Sequence, residues 1–79
     1  MEAIKRKTRL QDERESRGLS QTRLAGLARL HPSDISRIEG RRALPANYQR
    51  VRLARALRVP HEWLFEDFPE RIALKEVGS

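Results

Sequence analysis

The chain has no cysteine, so neither a disulfide framework nor a cysteine-bound zinc can hold it together. Aromatics are scarce, with one Trp, one Tyr and two Phe; the core must therefore rest on aliphatic side chains, with a few rings near the C-terminus. No apolar run is long enough to span a bilayer, and there is no signal peptide with an apolar centre. The expectation is a soluble, cytoplasmic protein. A glycine-rich phosphate loop is also missing. The two histidines, His31 and His61, are far apart in the chain, and neither has a carboxylate cluster at metal-ligand spacing. Serine, aspartate and histidine all occur, but no local arrangement sets a nucleophile beside a base. These absences argue against an enzyme and leave no metal and no cofactor to expect.

Positive charge is what the chain has in excess. Its formal net charge is +6, and fourteen of its seventeen cationic residues are arginine, the side chain suited to bidentate phosphate and guanine contacts. The charge is unevenly placed: residues 1–58 hold fifteen Lys and Arg against six Asp and Glu, and residues 59–79 hold two against five. A solvated basic face is one explanation; a nucleic-acid partner, with the acidic tail turned away from it, is the other and the one favoured here. Seventy-nine residues allow one domain with a small core, which dimerisation would help to stabilise.

Local signals divide the chain into helices. Thr8 followed by Gln11 fits a capping box, so helix 1 is expected from about Arg9 to Arg17, ended by Gly18 in a left-handed conformation. Leu19 then plugs the core, and Ser20 caps a second helix from Gln21 to about Arg29. Pro32 suits the first position of a third helix, with Asp34 complementing its positive end and Gly40 ending it. After a loop with Pro45, Asn47 or Ala46 caps a fourth helix, about Tyr48–Leu57. There Tyr48, Val51, Ala54 and Leu57 recur at helical spacing, and Arg50, Arg52, Arg55 and Arg58 take the wet side. Pro60 opens a short fifth helix in which Trp63, Leu64 and Phe65 close the core. The segment Phe68–Val77 reads equally as a helix begun by Pro69 or as an alternating strand.

Within this series, Gln21–Gly40 has the pattern of a helix-turn-helix. Leu24, Ala28, Leu30, Ile35 and Ile38 fall where two short helices would bury one shared seam, and Ala25 lets them cross closely. Positions 33, 36 and 37 share one face of the second of these helices, which supports a common partner for them.

The sequence resembles the helix-turn-helix domain of phage Cro and cI repressors, the XRE family. The likeness runs over roughly Leu10–Phe65, through GLSQ at Gly18–Gln21, LA at Leu24-Ala25, ISRIE at Ile35–Glu39, Pro45, ARAL at Ala54–Leu57 and WLF at Trp63–Phe65. It implies an all-α, compact five-helix, lambda-repressor-like fold and a bacterial or phage-encoded, nucleoid-associated regulator that binds double-stranded DNA as a homodimer. Helix 3 would lie in the major groove, with Ser33 and Arg37 reading bases, flanked by His31, Pro32 and Ser36; Ser33 could instead help cap the helix. Gln21 would meet a phosphate, as would Arg41 and Arg42 in the following loop. Arg14 and Glu39 would form a structural ion pair between helix 1 and the end of helix 3, and Arg14 could also reach a phosphate. Three positions depart from the family pattern. Arg29 occupies a turn where the family often has a left-handed glycine, and its side chain becomes a further phosphate contact. Gly40 comes one residue early, which bears on the shape of the Arg41-Arg42 loop. Glu13 replaces an aliphatic residue and narrows the apolar stripe of helix 1.

The expected organisation is a basic arm at 1–7, a helix-turn-helix domain at 8–66 and a tail at 67–79. Lys5, Arg6 and Lys7 either follow DNA or form a solvated, frayed end. Trp63, Phe65, Phe68 and Ile72 either form the dimer surface or only complete the core. The expected function is transcriptional regulation, by repression, through an inverted-repeat operator. Two alternatives remain beside it: an antitoxin whose tail binds a toxin, and an adaptor that uses the same fold to bridge proteins.

Overall fold

Thr8 starts the fold. It is fully buried, and its side-chain oxygen accepts the Gln11 N–H at 3.0 Å, opening α1 (Arg9–Ser16). The capping box expected there is half made, because the Gln11 amide donates to Glu15 Oε2 at 3.0 Å and not back to the cap. Ser20 opens α2 (Gln21–Ala28) in the same way, accepting the Arg23 N–H at 3.0 Å. Pro32 is the first residue of α3 (Pro32–Glu39), and the Asp34 carboxylate accepts the His31 N–H at 3.4 Å. Ala46 precedes α4 (Asn47–Leu57) and has no capping side chain; Gln49 Oε1 accepts its N–H at 2.8 Å. A single turn, α5 (His61–Leu64), follows Pro60. The computed structural model describes residues 7–68, all-helical and without a strand among them.

One turn geometry ends α1, α2, α3 and α4. In each, a residue with positive φ donates its N–H three residues back, and the next residue donates five back, the double bond of a Schellman motif. The left-handed residues are Gly18 at φ 70°, Arg29 at 60°, Arg41 at 58° and Arg58 at 61°. Three arginines therefore hold a conformation that costs a side chain roughly 1 kcal/mol. Arg29 takes the conformation expected of it. After α3 the left-handed position falls on Arg41, while Gly40 keeps φ −82°. An added Cβ at Gly40 would stand 3.2 Å from the Ser36 carbonyl oxygen, a tight contact with the last turn of α3 that glycine avoids. The residues after three of these turns, Leu19, Leu30 and Val59, pack against the core. After the fourth comes Arg42, which is exposed.

The core is built from Leu10, Leu24, Ala25, Ala28, Ile35, Ile38, Leu53, Ala54, Leu57, Leu64, Phe65 and Phe68. Tyr48 departs from the expected stripe. It is 53% exposed, and Arg52 lies 5.1 Å from its ring centre, while fully buried Leu53 fills the core instead. At 100° per residue Tyr48 stands about 140° around the helix from Leu53 and cannot share its face. Arg50, expected in water, is half-buried against Phe65, 6.0 Å from its ring centre. Phe65 and Phe68 meet edge to face at 5.7 Å. Both are buried within this chain, so each completes the core and neither is offered as a dimer surface.

Only Leu10 and Arg14 of α1 are buried. Polar bonds therefore do much of the work of holding it. Arg9 Nη1 donates to the Trp63 carbonyl at 2.8 Å and to Glu66 at 2.7 Å. Arg17, just past the helix, pairs with Glu13 and donates to the Leu57 carbonyl at 2.8 Å. The Asp67 carboxylate accepts the Arg9 N–H at 3.0 Å. Asp67 and Phe68 thus pack onto the helical body, although the sequence assigned them to the tail.

Candidate nucleic-acid interface

α3 is anchored on one side and open on the other. Ile35, Ile38 and Glu39 are buried, and His31, Pro32, Ser33 and Arg37 are exposed, with Ser36 half-buried. This division follows from the 3.6-residue period: the inward isoleucines fix the helix, and the outward set falls on the opposite face. The Arg37 guanidinium is held by Asp34, whose Oδ1 lies 3.3 Å from Nη2, yet the arginine side chain stays 54% exposed. Asp34 therefore does more than cap the helix; the i, i+3 spacing was the available signal for its contact with Arg37. Arg42 lies beside the same face, its Nη2 3.5 Å from Ser36 Oγ.

The buried ion pair under this face is closed. Arg14 Nε lies 2.7 Å from Glu39 Oε2 and Nη2 lies 2.9 Å from Oε1, with Nη1 donating to the Leu19 carbonyl at 2.7 Å. Its hydrogen bonds to Glu39 raise the Arg14 pKa above its ordinary value, against the opposing effect of burial. Arg14 is 8% exposed and makes three hydrogen bonds inside the fold, so its guanidinium is committed to the pair with Glu39. Gln21 belongs to the same network: its amide donates to Glu39 Oε1 at 3.0 Å. The N–H groups of Gln21 and Thr22, at the first turn of α2, have no intrahelical acceptor.

The arginines after α3 diverge. Arg41 donates to the Asp67 carbonyl at 3.0 Å and to its Oδ2 at 3.3 Å, and its guanidinium lies 5.2 Å from the Phe68 ring centre. Its side chain is engaged within the fold, 41% exposed. Arg42 has no carboxylate partner among the described residues and remains exposed. Arg29 is exposed at the α2–α3 turn, where its carbonyl accepts from Arg52 at 3.2 Å.

Lys7 pairs with Glu15 at 2.6 Å. That hydrogen bond, with a second from Gln11, holds the Glu15 carboxyl below its ordinary pKa. Lys5, Arg6 and Ile72 lie outside the described residues. Trp63 is 40% exposed with the Arg9 guanidinium 4.8 Å from its ring centre. Among the described residues no group of His, Asp and Glu could hold a metal ion, and no helix is long and apolar enough to cross a membrane.

A family model described as a helix-turn-helix domain matches residues 8–64, from the Thr8 cap to the end of α5. No curated protein matches the chain.

Proposed function

We propose that this chain, which belongs to the helix-turn-helix family of DNA-binding domains, regulates transcription by reading an inverted-repeat operator as a homodimer. The observation that carries this reading is the face of α3, where exposed Ser33 and Arg37 stand opposite buried Ile35 and Ile38. In this arrangement α3 enters the major groove. Arg37 donates two hydrogen bonds to a guanine, worth ~1–3 kcal/mol of discrimination, and Ser33, with His31, Pro32 and Ser36, meets the neighbouring base edges. Arg42, Arg29 and the first N–H groups of α2 with Gln21 take the phosphates, which position the domain without reading sequence. The Arg14–Glu39 pair orients α3 from beneath. Two such domains place their half-site centres about 10 bp apart on one face of the duplex. Bound there, the dimer represses by excluding polymerase. Of Trp63, Phe65 and Phe68, Trp63 alone is exposed and available to the dimer contact. The folded unit runs from Thr8 to Phe68, with a basic arm before it and a tail after it.

Selection from a random duplex pool at fixed, near-physiological salt tests this reading, because so many arginines retain any DNA at low ionic strength. The expected result is enrichment of an inverted repeat that Ser33→Ala with Arg37→Ala no longer binds, while its circular dichroism stays native. A double variant that enriches the same repeat equally well would overturn the assignment of α3. Failure of the folded wild-type chain to enrich any sequence would instead favour the adaptor reading.

A further inference from the structure

We propose that the groove between α2 and α4 docks an acidic helical segment of a partner protein, seated by one apolar anchor side chain. The groove has a volume of about 460 Å³ and is lined by Leu27, Ala28, Arg29, Arg52, Arg55 and Ala56. Leu27 is 58% exposed, more than any other large hydrophobic residue described. The seam of α2 is already filled by Leu24, Ala25 and Ala28, so the fold itself makes little use of the Leu27 side chain.

The charge around this leucine identifies the partner's chemistry. Neither α2 nor α4 contains an acidic residue. Arg9, Arg14, Arg17, Arg37 and Arg41 all pair with carboxylates. Among the described residues, Arg52 and Arg55, which the DNA-binding face does not use, have no such pair. The one hydrogen bond from the Arg52 guanidinium goes to a carbonyl, that of Arg29. An apolar floor under unneutralised arginines suits an amphipathic helix with carboxylates on both sides of a leucine or phenylalanine, laid in the groove. A second copy presenting the same groove would set arginine against arginine. A phosphate backbone would answer the charge and leave Leu27 without an apolar neighbour. α2 packs against both α3 and α4, and the groove is lined from α2, α4 and Arg29 with no residue of α3.

The probe is a displayed library of random 16-residue peptides selected on the whole chain, and the selected peptides are then titrated by fluorescence anisotropy. Selected sequences should place Asp or Glu at helical spacing around one apolar residue. Leu27→Gln should weaken them about tenfold. Arg55→Gln should weaken them and flatten their salt dependence. Both variants should bind a generic duplex as the wild-type chain does. Selection of no such pattern, or equal binding to Leu27→Gln, would overturn the proposal. A loss of duplex binding in Arg55→Gln would overturn it too, by making the groove a DNA surface.

Discussion

Arg14 and Arg41 carry the same guanidinium into different settings, and the difference lies in how water is excluded around each. Arg14 is buried against Glu39 with three hydrogen bonds made. Removing the charge from Glu39 leaves a buried cation without compensation, a loss of about 3–5 kcal/mol. In a domain this small that approaches the whole stability. Glu39→Gln is therefore expected to unfold at far lower urea than wild type by circular dichroism, with part of the loss recovered when Arg14→Met removes the stranded charge. Arg41 is 41% exposed at its contact with Asp67, so that pair adds little to stability, ~0–1 kcal/mol. Its consequence is for binding. Asp67→Asn keeps an oxygen for the Arg9 N–H yet releases Arg41 to a phosphate. The salt dependence of non-specific duplex binding should steepen by about one in log–log slope; an unchanged slope would mean Arg41 stays on the Asp67 carbonyl and Phe68.

Among the elements, the four helix ends share one hydrogen-bond geometry but not one residue type. Gly18 adopts positive φ without a steric penalty, whereas Arg29, Arg41 and Arg58 adopt it with a Cβ in the way. Arg58 is the cleanest place to measure the cost, because it is exposed and its side chain makes no hydrogen bond among the described residues. Arg58→Gly should raise unfolding stability by about 0.5–1 kcal/mol, the relief of strain less the greater freedom of glycine in the unfolded chain. Chemical denaturation would show this as a higher midpoint at unchanged slope. A decrease would mean that the arginine stem contributes packing along the α4–α5 junction. The turn after α3 differs in its second residue: exposed Arg42 replaces the aliphatic plug found after α1, α2 and α4, which leaves a cation beside the face of α3.

For the whole molecule, the basic and acidic residues are sorted in space as well as in sequence. The acidic turn Glu66–Asp67 is folded back onto Arg9 and Arg41, which neutralises the junction of α1 with the α3 exit and leaves the net positive charge to α4, the α2–α3 turn and Arg42. The proposed dimer is to be tested through Trp63, since Phe65 and Phe68 serve the core. Trp63→Glu should keep its helical circular dichroism, sediment as a monomer where the wild-type chain sediments as a dimer, and lose operator affinity more than tenfold. Dimers that persist in this variant would move the contact elsewhere.

Helix starts and stops were legible in the sequence wherever a cap or a proline acts within four residues: Thr8, Gly18, Ser20 and Pro32 each do what their local chemistry dictates. The seam of α2 and α3 was legible for a related reason, since a 3.6-residue period needs only a short window to show. The outward residues of α3 could be named by the same rule, and their exposure in the structure is its geometric complement. What a window cannot show is which of many identical arginines meets which carboxylate. Arg9 with Glu66, Arg41 with Asp67 and Arg14 with Glu39 join residues 57, 26 and 25 positions apart, so packing alone selects them. The same holds for Tyr48, left outside while Leu53 fills the core because of how α4 is turned against its neighbours, and for Trp63, expected to close the core with Leu64 and Phe65 but left 40% exposed. Short-range sterics and hydrogen bonding are written in neighbouring residues; the burial and pairing of a charge exist only when distant segments meet.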